Sequence, residues 1–184
     1  MVRRLPVLIL VTALAAGLSA QRTQDAPPET RITMQIAGRG NVVIRLYTDE
    51  APKTTAHISK LVRDGFYDGQ KIFKAVKKPR PFLVQFGDPQ TKTRPIDDPA
   101  MGTGGTGTKI PYEASGLRHV RGAVGLSRLP EDKDSGDCQF YIMLGAYSFL
   151  DDNYTVFGQV VEGLDLLDSL EPGDVVTKVT YVKK

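Results

Sequence analysis

The stretch QKIFKAVKKPRPFLVQFGDP, residues 70–89, holds the side chains whose types could do chemistry. Four apolar residues, Phe82, Leu83, Val84 and Phe86, enclose a single amide, Gln85, and five cations precede them: Lys71, Lys74, Lys77, Lys78 and Arg80. Pattern alone favours a plain reading of both features. An amide among apolar neighbours is ordinarily a satisfied polar group on a core strand, and a run of cations is ordinarily a solvated turn. Pro79 and Pro81 remove backbone freedom from that turn, so a fixed presentation of Arg80 or the lysines over the strand is the other reading.

Other chemistries are poorly provided for. Cys138 is the only cysteine, which excludes an internal disulfide and a cysteine zinc site. His57, in a predicted helix, and His119, in a loop, make no ligand set, and surface or packing roles are expected of both. The run GTGGTG, Gly102 to Gly107, fits G-x-G-x-x-G, but no strand precedes it and Pro111 interrupts the residues after it. A nucleotide fingerprint needs a strand before and a helix behind. A loop whose glycines admit another chain closely is expected instead.

The elements that must position these residues follow from periodicity. RITMQIAGRGNVVIRLYTDE alternates on either side of GRGN and predicts a β-hairpin. APKTTAHISKLVRDG puts Ile58, Leu61 and Val62 on one face of a helix that starts near Pro52 and stops at Gly65. KIFKAV, PFLVQFGD, GAVGLSR, CQFYIML, TVFGQVV and DVVTKVTYVKK read as strands, and GLDLLDSL as a second short helix. Many short strands with two helices predict a mainly β fold, a closed antiparallel barrel capped by two α-helices. Alternation sends Phe140 and Tyr141 to opposite faces, one into the core and one out of it. On pattern alone Phe82, Leu83, Phe140, Phe149 and Phe157 are core or structural residues.

Composition, with 41% hydrophobic and 24% charged residues in 184, is that of one globular domain. Residues 1–20, MVRRLPVLILVTALAAGLSA, carry Arg3 and Arg4, a short apolar run and small residues before Gln21, and read as a cleaved signal peptide. Residues 21–30 are then a polar linker and 31–184 the domain. Loss of the two arginines takes the formal charge from +3 to +1, which removes the electrostatic basis for nucleic-acid binding. The expected location is exported, periplasmic or secreted, with no stable membrane association after cleavage.

Taken in order, GNVVIRLYTDEAPKTTAHISKLVRDGFYDG, FLVQFGDP, GTGGTGTKIPYEAS, HVRGAVGLSR, CQFYI and FLDDNYTVFGQVVEGLDLLDSL resemble the cyclophilin-type peptidyl-prolyl cis-trans isomerases over residues 31 to 182. The resemblance implies an eight-stranded closed antiparallel barrel with a helix at each end. It also implies a shallow apolar proline pocket bordered by Phe82, Leu83, Tyr141, Phe149, Leu150 and Tyr154. Gln85 matches the family's glutamine beside that pocket and Gln139 a second one. Ser127 and Arg128 match the stretch that holds the extended substrate, and Gly102 joins them as a substrate-binding residue.

Such an isomerase requires no cofactor. An X-Pro bond is held by a resonance barrier of about 18–20 kcal/mol, and a site lowers it by gripping the ring and donating a hydrogen bond toward the prolyl nitrogen. In the family that donor is an arginine directly after F-H. Read straight along the chain, F-H-R-V-I falls on Phe73, Lys74, Ala75, Val76 and Lys77, which puts Ala75 at the arginine position and leaves Arg80 or a loop lysine to replace it. Phe86, Phe149 and Tyr154 depart from the usual pattern, and LPEDKDSGDC lengthens the loop before Gln139.

Two functions remain open on this reading. One is an isomerase, possessing a weakened or relocated donor, that assists the folding of exported proteins; its partners are proline-containing peptides and unfolded chains, and it is monomeric. The other is a catalytically degenerate cyclophilin that binds proline segments as a chaperone or scaffold.

Overall fold

The computed structural model describes residues 29–183. The predicted signal peptide and most of the linker therefore lie outside the described residues. Alternating apolar side chains build the first hairpin: β1 (Thr30–Ile36) buries Ile32, Met34 and Ile36, and pairs antiparallel with β2 (Gly40–Leu46). Gly38 turns the chain at φ 69°, a conformation open to glycine at little cost.

The helix α1 (Pro52–Arg63) buries Ile58, Leu61 and Val62, as the spacing predicts. Pro52 stands at its start, where a missing N–H costs nothing. Its end is a Schellman motif, in which Phe66 N–H donates to the Leu61 carbonyl and Gly65 N–H to that of Val62, with Gly65 at φ 69°. Ala51 offers no side-chain cap at the other end. Glu113, far along the chain, supplies one: its carboxylate accepts the Lys53 and Thr54 backbone N–H groups at 2.9 and 2.8 Å and the Thr54 hydroxyl at 2.7 Å.

Six more strands come after the helix: β3 (Lys74–Val76), β4 (Leu83–Phe86), β5 (Ala123–Leu126), β6 (Phe140–Met143), β7 (Val156–Glu162) and β8 (Val176–Lys183). They form one eight-stranded sheet in the order β3-β4-β6-β5-β7-β2-β1-β8, with antiparallel neighbours. The sheet curls around a core that includes Phe140, Phe157, Ile44, Tyr67 and Ile72.

Two expectations of the fold are corrected. The strand ladder does not close into a barrel: β3 is only three residues long and pairs with β4 alone. The edges meet instead through the chain before β3 and the start of β8, where the bridge between Lys71 and Val175 is flanked by backbone hydrogen bonds from Gly69 to Val176, Val176 to Gln70, Ile72 to Asp174 and Gly173 to Ile72. The second α-helix is absent among the described residues. GLDLLDSL forms a 3₁₀ helix, Asp165–Ser169, since seven residues between Gly163 and Glu171, the residue before Pro172, leave no room for settled α turns. Among the described residues no helix is long and apolar enough to cross a membrane.

Candidate active site

Pairing register decides which side chains share the outer face of the sheet. Residues directly opposite in an antiparallel pair point the same way. Leu83 faces Met143 and Gln85 faces Tyr141 across β4 and β6, while Gly125 of β5 also faces Tyr141. Phe140 turns into the main core and Tyr141 into a second apolar cluster with Leu83, Ala123, Met143, Leu150 and Val156. The alternation of this pair thus sends Phe140 into the main core and Tyr141 to the other face.

Phe82 and Tyr154 pack on the edge of that cluster. The Phe82 ring meets Tyr147 edge-on with centroids 4.7 Å apart and stacks on Phe149 at 6.0 Å. Phe149 is 66% exposed, so this group is an open aromatic shelf, whereas Leu150, at 8%, is its support. Tyr147 was not foreseen from the sequence. It belongs to the shelf, and its hydroxyl donates to the Pro81 carbonyl at 2.8 Å, tying down the basic turn.

Beside the shelf lies a chain of amides. Gln85 Nε2 donates to Ser127 Oγ at 2.9 Å and to Gln139 Oε1 at 3.2 Å, and Gln139 Nε2 donates to the carbonyls of Gly102 and Gly104 at 2.9 and 2.7 Å. Gln85 Nε2 is thus committed, while its Oε1 accepts nothing among the described residues. The predicted Gln85, Gln139, Ser127 and Gly102 are brought together. Gln139, Ser127 and Gly102 border a cavity of about 560 Å³ that Gly104 and Arg128 also line.

The glycine run itself wraps two carboxylates of the protein. Asp88, with no exposed surface, accepts the Gln90, Gly102 and Gly104 N–H groups at 2.8, 2.6 and 3.2 Å. Asp137 accepts those of Thr106 and Gly107 at 2.6 and 2.9 Å. The donors a phosphate would need are occupied from within. At Gly104 a Cβ would stand 2.2 Å from Asp88 Oδ1, so only glycine fits.

Arg128 lines the cavity with most of its donors already committed. Its guanidinium donates to the carbonyls of Leu129, Pro130 and Asn153 at 2.8, 2.6 and 3.0 Å and covers the Tyr154 ring at 4.2 Å. It is a clamp between two loops. The Ser127 N–H is likewise taken, by the Gln139 carbonyl at 2.9 Å.

On the basic side the register places each residue of the stretch. Ala75 pairs with Val84 and packs against the main core; Lys74 pairs with Gln85, and Val76 with Leu83. The residue that shares the face of Gln85 is therefore Lys74. Lys74, not Ala75, thus stands across from Gln85, and Ile72 ahead of it is buried. Arg80 is exposed and makes no hydrogen bond or ion pair among the described residues; Lys77 is held by Glu171 at 2.6 Å. Lys74 is exposed and has no ion-pair partner among the described residues.

His119, expected in an ordinary role, is buried against the site, with Nε2 at 2.9 Å from Tyr141 Oη and Nδ1 at 2.9 Å from Asp151 Oδ1. Burial holds its pKa below the usual histidine value, and the bond to Asp151 opposes this only in part. His57 lies 3.5 Å from Asp137, beneath the glycine loop. The buried Cys138 thiol, its pKa pushed up to about 12, is inert. Among the described residues no cluster of metal-ligating side chains occurs.

Comparison with known proteins gives this arrangement a family. The model of the family described as cyclophilin type peptidyl-prolyl cis-trans isomerase/CLD matches residues 31–184. The chain is 35% identical over 164 residues to a probable peptidyl-prolyl cis-trans isomerase of Brucella suis, covering 88% of this chain and 81% of that protein. It is 35% identical over 141 residues to peptidyl-prolyl cis-trans isomerase B of Bacillus subtilis, covering 76% and 90%. The crystal structure of a cyclophilin type peptidyl-prolyl cis-trans isomerase of Cryptosporidium parvum superposes with a TM-score of 0.71 at 20% identity, over 85% of this chain and 99% of that one. A crystal structure of that protein in the presence of the dipeptide Ala-Pro gives a TM-score of 0.70.

Proposed function

The chain belongs to the cyclophilin-type peptidyl-prolyl cis-trans isomerases, and from that premise we propose that it rotates X-Pro bonds at the shelf of Phe82, Leu83, Tyr141 and Phe149, with Lys74 as the cationic donor. The observation that carries the assignment of Lys74 is its register position opposite Gln85.

The proline ring rests on Phe82 and Leu83. Gln85 Oε1, which accepts nothing else among the described residues, takes a substrate N–H and fixes one side of the bond. The Lys74 ammonium approaches the prolyl nitrogen as its lone pair localises, which favours the twisted amide over either planar form. An ammonium is a mobile point charge where guanidinium is a rigid fork, so the donor is less preorganised. Its loss costs about tenfold to a hundredfold in kcat/KM, toward the low end for a preorganised donor.

The partners proposed are proline-containing segments of unfolded chains. The signal-like residues 1–20 support a role in the folding of exported proteins in the periplasm or outside the cell. The protein acts as a monomer in this reading, and the domain begins at about residue 31 after a short linker. The Ala-Pro dipeptide named for the Cryptosporidium parvum relative supports the substrate class.

The test is the rate of cis-to-trans conversion of a short Ala-Pro peptide by the parent protein, Lys74→Ala and Arg80→Ala. Lys74→Ala loses tenfold or more and Arg80→Ala stays within twofold of the parent. Loss confined to Arg80→Ala would return the donor to the loop. A parent that binds the peptide without turning it over would make this a proline-segment binder.

A further inference from the structure

Behind the Tyr141 ring stand two polar groups that the isomerisation step does not call on. Tyr141 Oη, 2.9 Å from His119 Nε2, and His119 Nδ1, 2.9 Å from Asp151 Oδ1, form a continuous chain. The same Asp151 oxygen accepts the His119 backbone N–H at 2.8 Å. The His119 side chain has no exposed surface and Tyr141 is 5% exposed, so each group in the chain depends on the next. Arg118, at 4.0 Å from Asp151 Oδ2, is the other charge facing the carboxylate, while Tyr154 packs edge-on against the Tyr141 ring with Arg128 over its own.

The proton positions follow from donor and acceptor counts. Hydrogen bonding from the His119 backbone keeps Asp151 ionised, its pKa lowered, and a carboxylate can only accept. The imidazole therefore donates from Nδ1. Burial keeps it to one proton, which leaves Nε2 as a bare lone pair. The bond to Tyr141 then forms only with the phenol donating, and the single hydroxyl proton is held by a buried ring.

Packing fixes the ring as well. A Cβ on Gly125 would stand 2.3 Å from Tyr141 Cζ, so the tyrosine lies flat across β5 where only glycine permits it. Tyr154 meets it edge-on at 6.0 Å.

We propose that His119 and Asp151 are positioning residues for the proline site: they lock the Tyr141 ring and hold its hydroxyl proton, so that the floor of the groove offers substrate a fixed aromatic surface without a hydrogen-bond donor. The inference rests on the reading of this groove as the proline site. A phenol proton free at this place would compete for the substrate carbonyls and draw the proline off its seat. With the proton held below, the floor discriminates for ring shape alone, and the polar grip is left to Gln85 and Lys74.

The experiment has two arms. Nitrogen NMR of the imidazoles in the unaltered protein reads the tautomer, and a double-mutant cycle with His119→Gln and Tyr141→Phe reads KM and kcat on an Ala-Pro peptide. The expected tautomer carries its proton on Nδ1. His119→Gln raises KM about fivefold with kcat moved less, and produces no further rise on the Tyr141→Phe background, because the two act as one unit. A proton on Nε2, or an equal effect of His119→Gln on both backgrounds, overturns the proposal. The tautomer decides the point even where His119→Gln fails to fold. An active parent with an additive cycle sinks this inference alone; a parent that neither turns over nor binds the peptide sinks the isomerase reading and this one with it.

Discussion

Replacing Asp88 by asparagine disconnects the glycine loop from the sheet while changing almost no volume. The wild-type carboxylate is fully buried and accepts from Gln90 N and Gly102 N at 2.8 and 2.6 Å, and more weakly from Gly104 N at 3.2 Å. An asparagine oxygen can keep one of these acceptors, facing Gln90. Its NH₂ group then confronts the Gly102 and Gly104 N–H groups, donor against donor. A hydrogen bond to a charged group contributes about 1.5–3 kcal/mol, so loss of the short Gly102 bond and the long Gly104 bond comes to about 3 kcal/mol. For a domain of this size that is a fall of about 6–12 °C in Tm. The site should respond too, since Gln139 is anchored on the carbonyls of Gly102 and Gly104 and in turn orients Gln85. Urea unfolding gives the stability and peptide kinetics give the split, with KM rising more than kcat falls. A variant as stable as the parent would refute the claim that Asp88 organises the loop.

Three other changes probe separate parts of the account. Glu113→Ala removes the remote cap of α1, and its expected cost is about 1–2 kcal/mol in urea unfolding, more than an ordinary exposed carboxylate. Ala75→Arg directs a guanidinium at the main core and should destabilise the protein by several kcal/mol without raising activity, as seen in a paired melt and rate measurement. Because the folded-state pKa of His119 lies below the ordinary value of about 6.5, the unfolded chain takes up that proton first as pH falls. Its contribution to stability is therefore complete above about pH 6.5 and declines below it toward the lower folded value; urea midpoints across this range should show a slope that His119→Gln lacks.

Much of the fold is legible in the sequence because it rests on local periodicity. The first hairpin, α1 with its proline start and glycine stop, and the strands carrying Phe82 to Phe86 and Phe140 to Met143 all follow from alternation or helical spacing. The register of β3 does not, because three residues carry too little pattern to fix which face is buried, and one residue of slip exchanges Lys74 for Ala75. The open ladder and the 3₁₀ turn at Asp165–Ser169 depend on where backbone N–H groups find partners, which periodicity does not encode. Gln85, Gln139 and Tyr141 stand at the site through motif order, yet their bonds to Ser127, the glycine carbonyls and His119 join residues distant in the chain. The one available signal for His119 was chemical: a tyrosine placed among apolar residues needs a partner for its hydroxyl.

The central claim is that this groove turns X-Pro bonds over and does more than hold them. Two-dimensional exchange NMR on an Ala-Pro peptide with a small fraction of the protein measures rotation directly, independent of any coupled enzyme. Exchange between the cis and trans proline signals that the protein accelerates, and that Lys74→Ala slows at least tenfold, is the predicted result. Peptide signals that shift on binding while cis and trans stay unexchanged would contradict it.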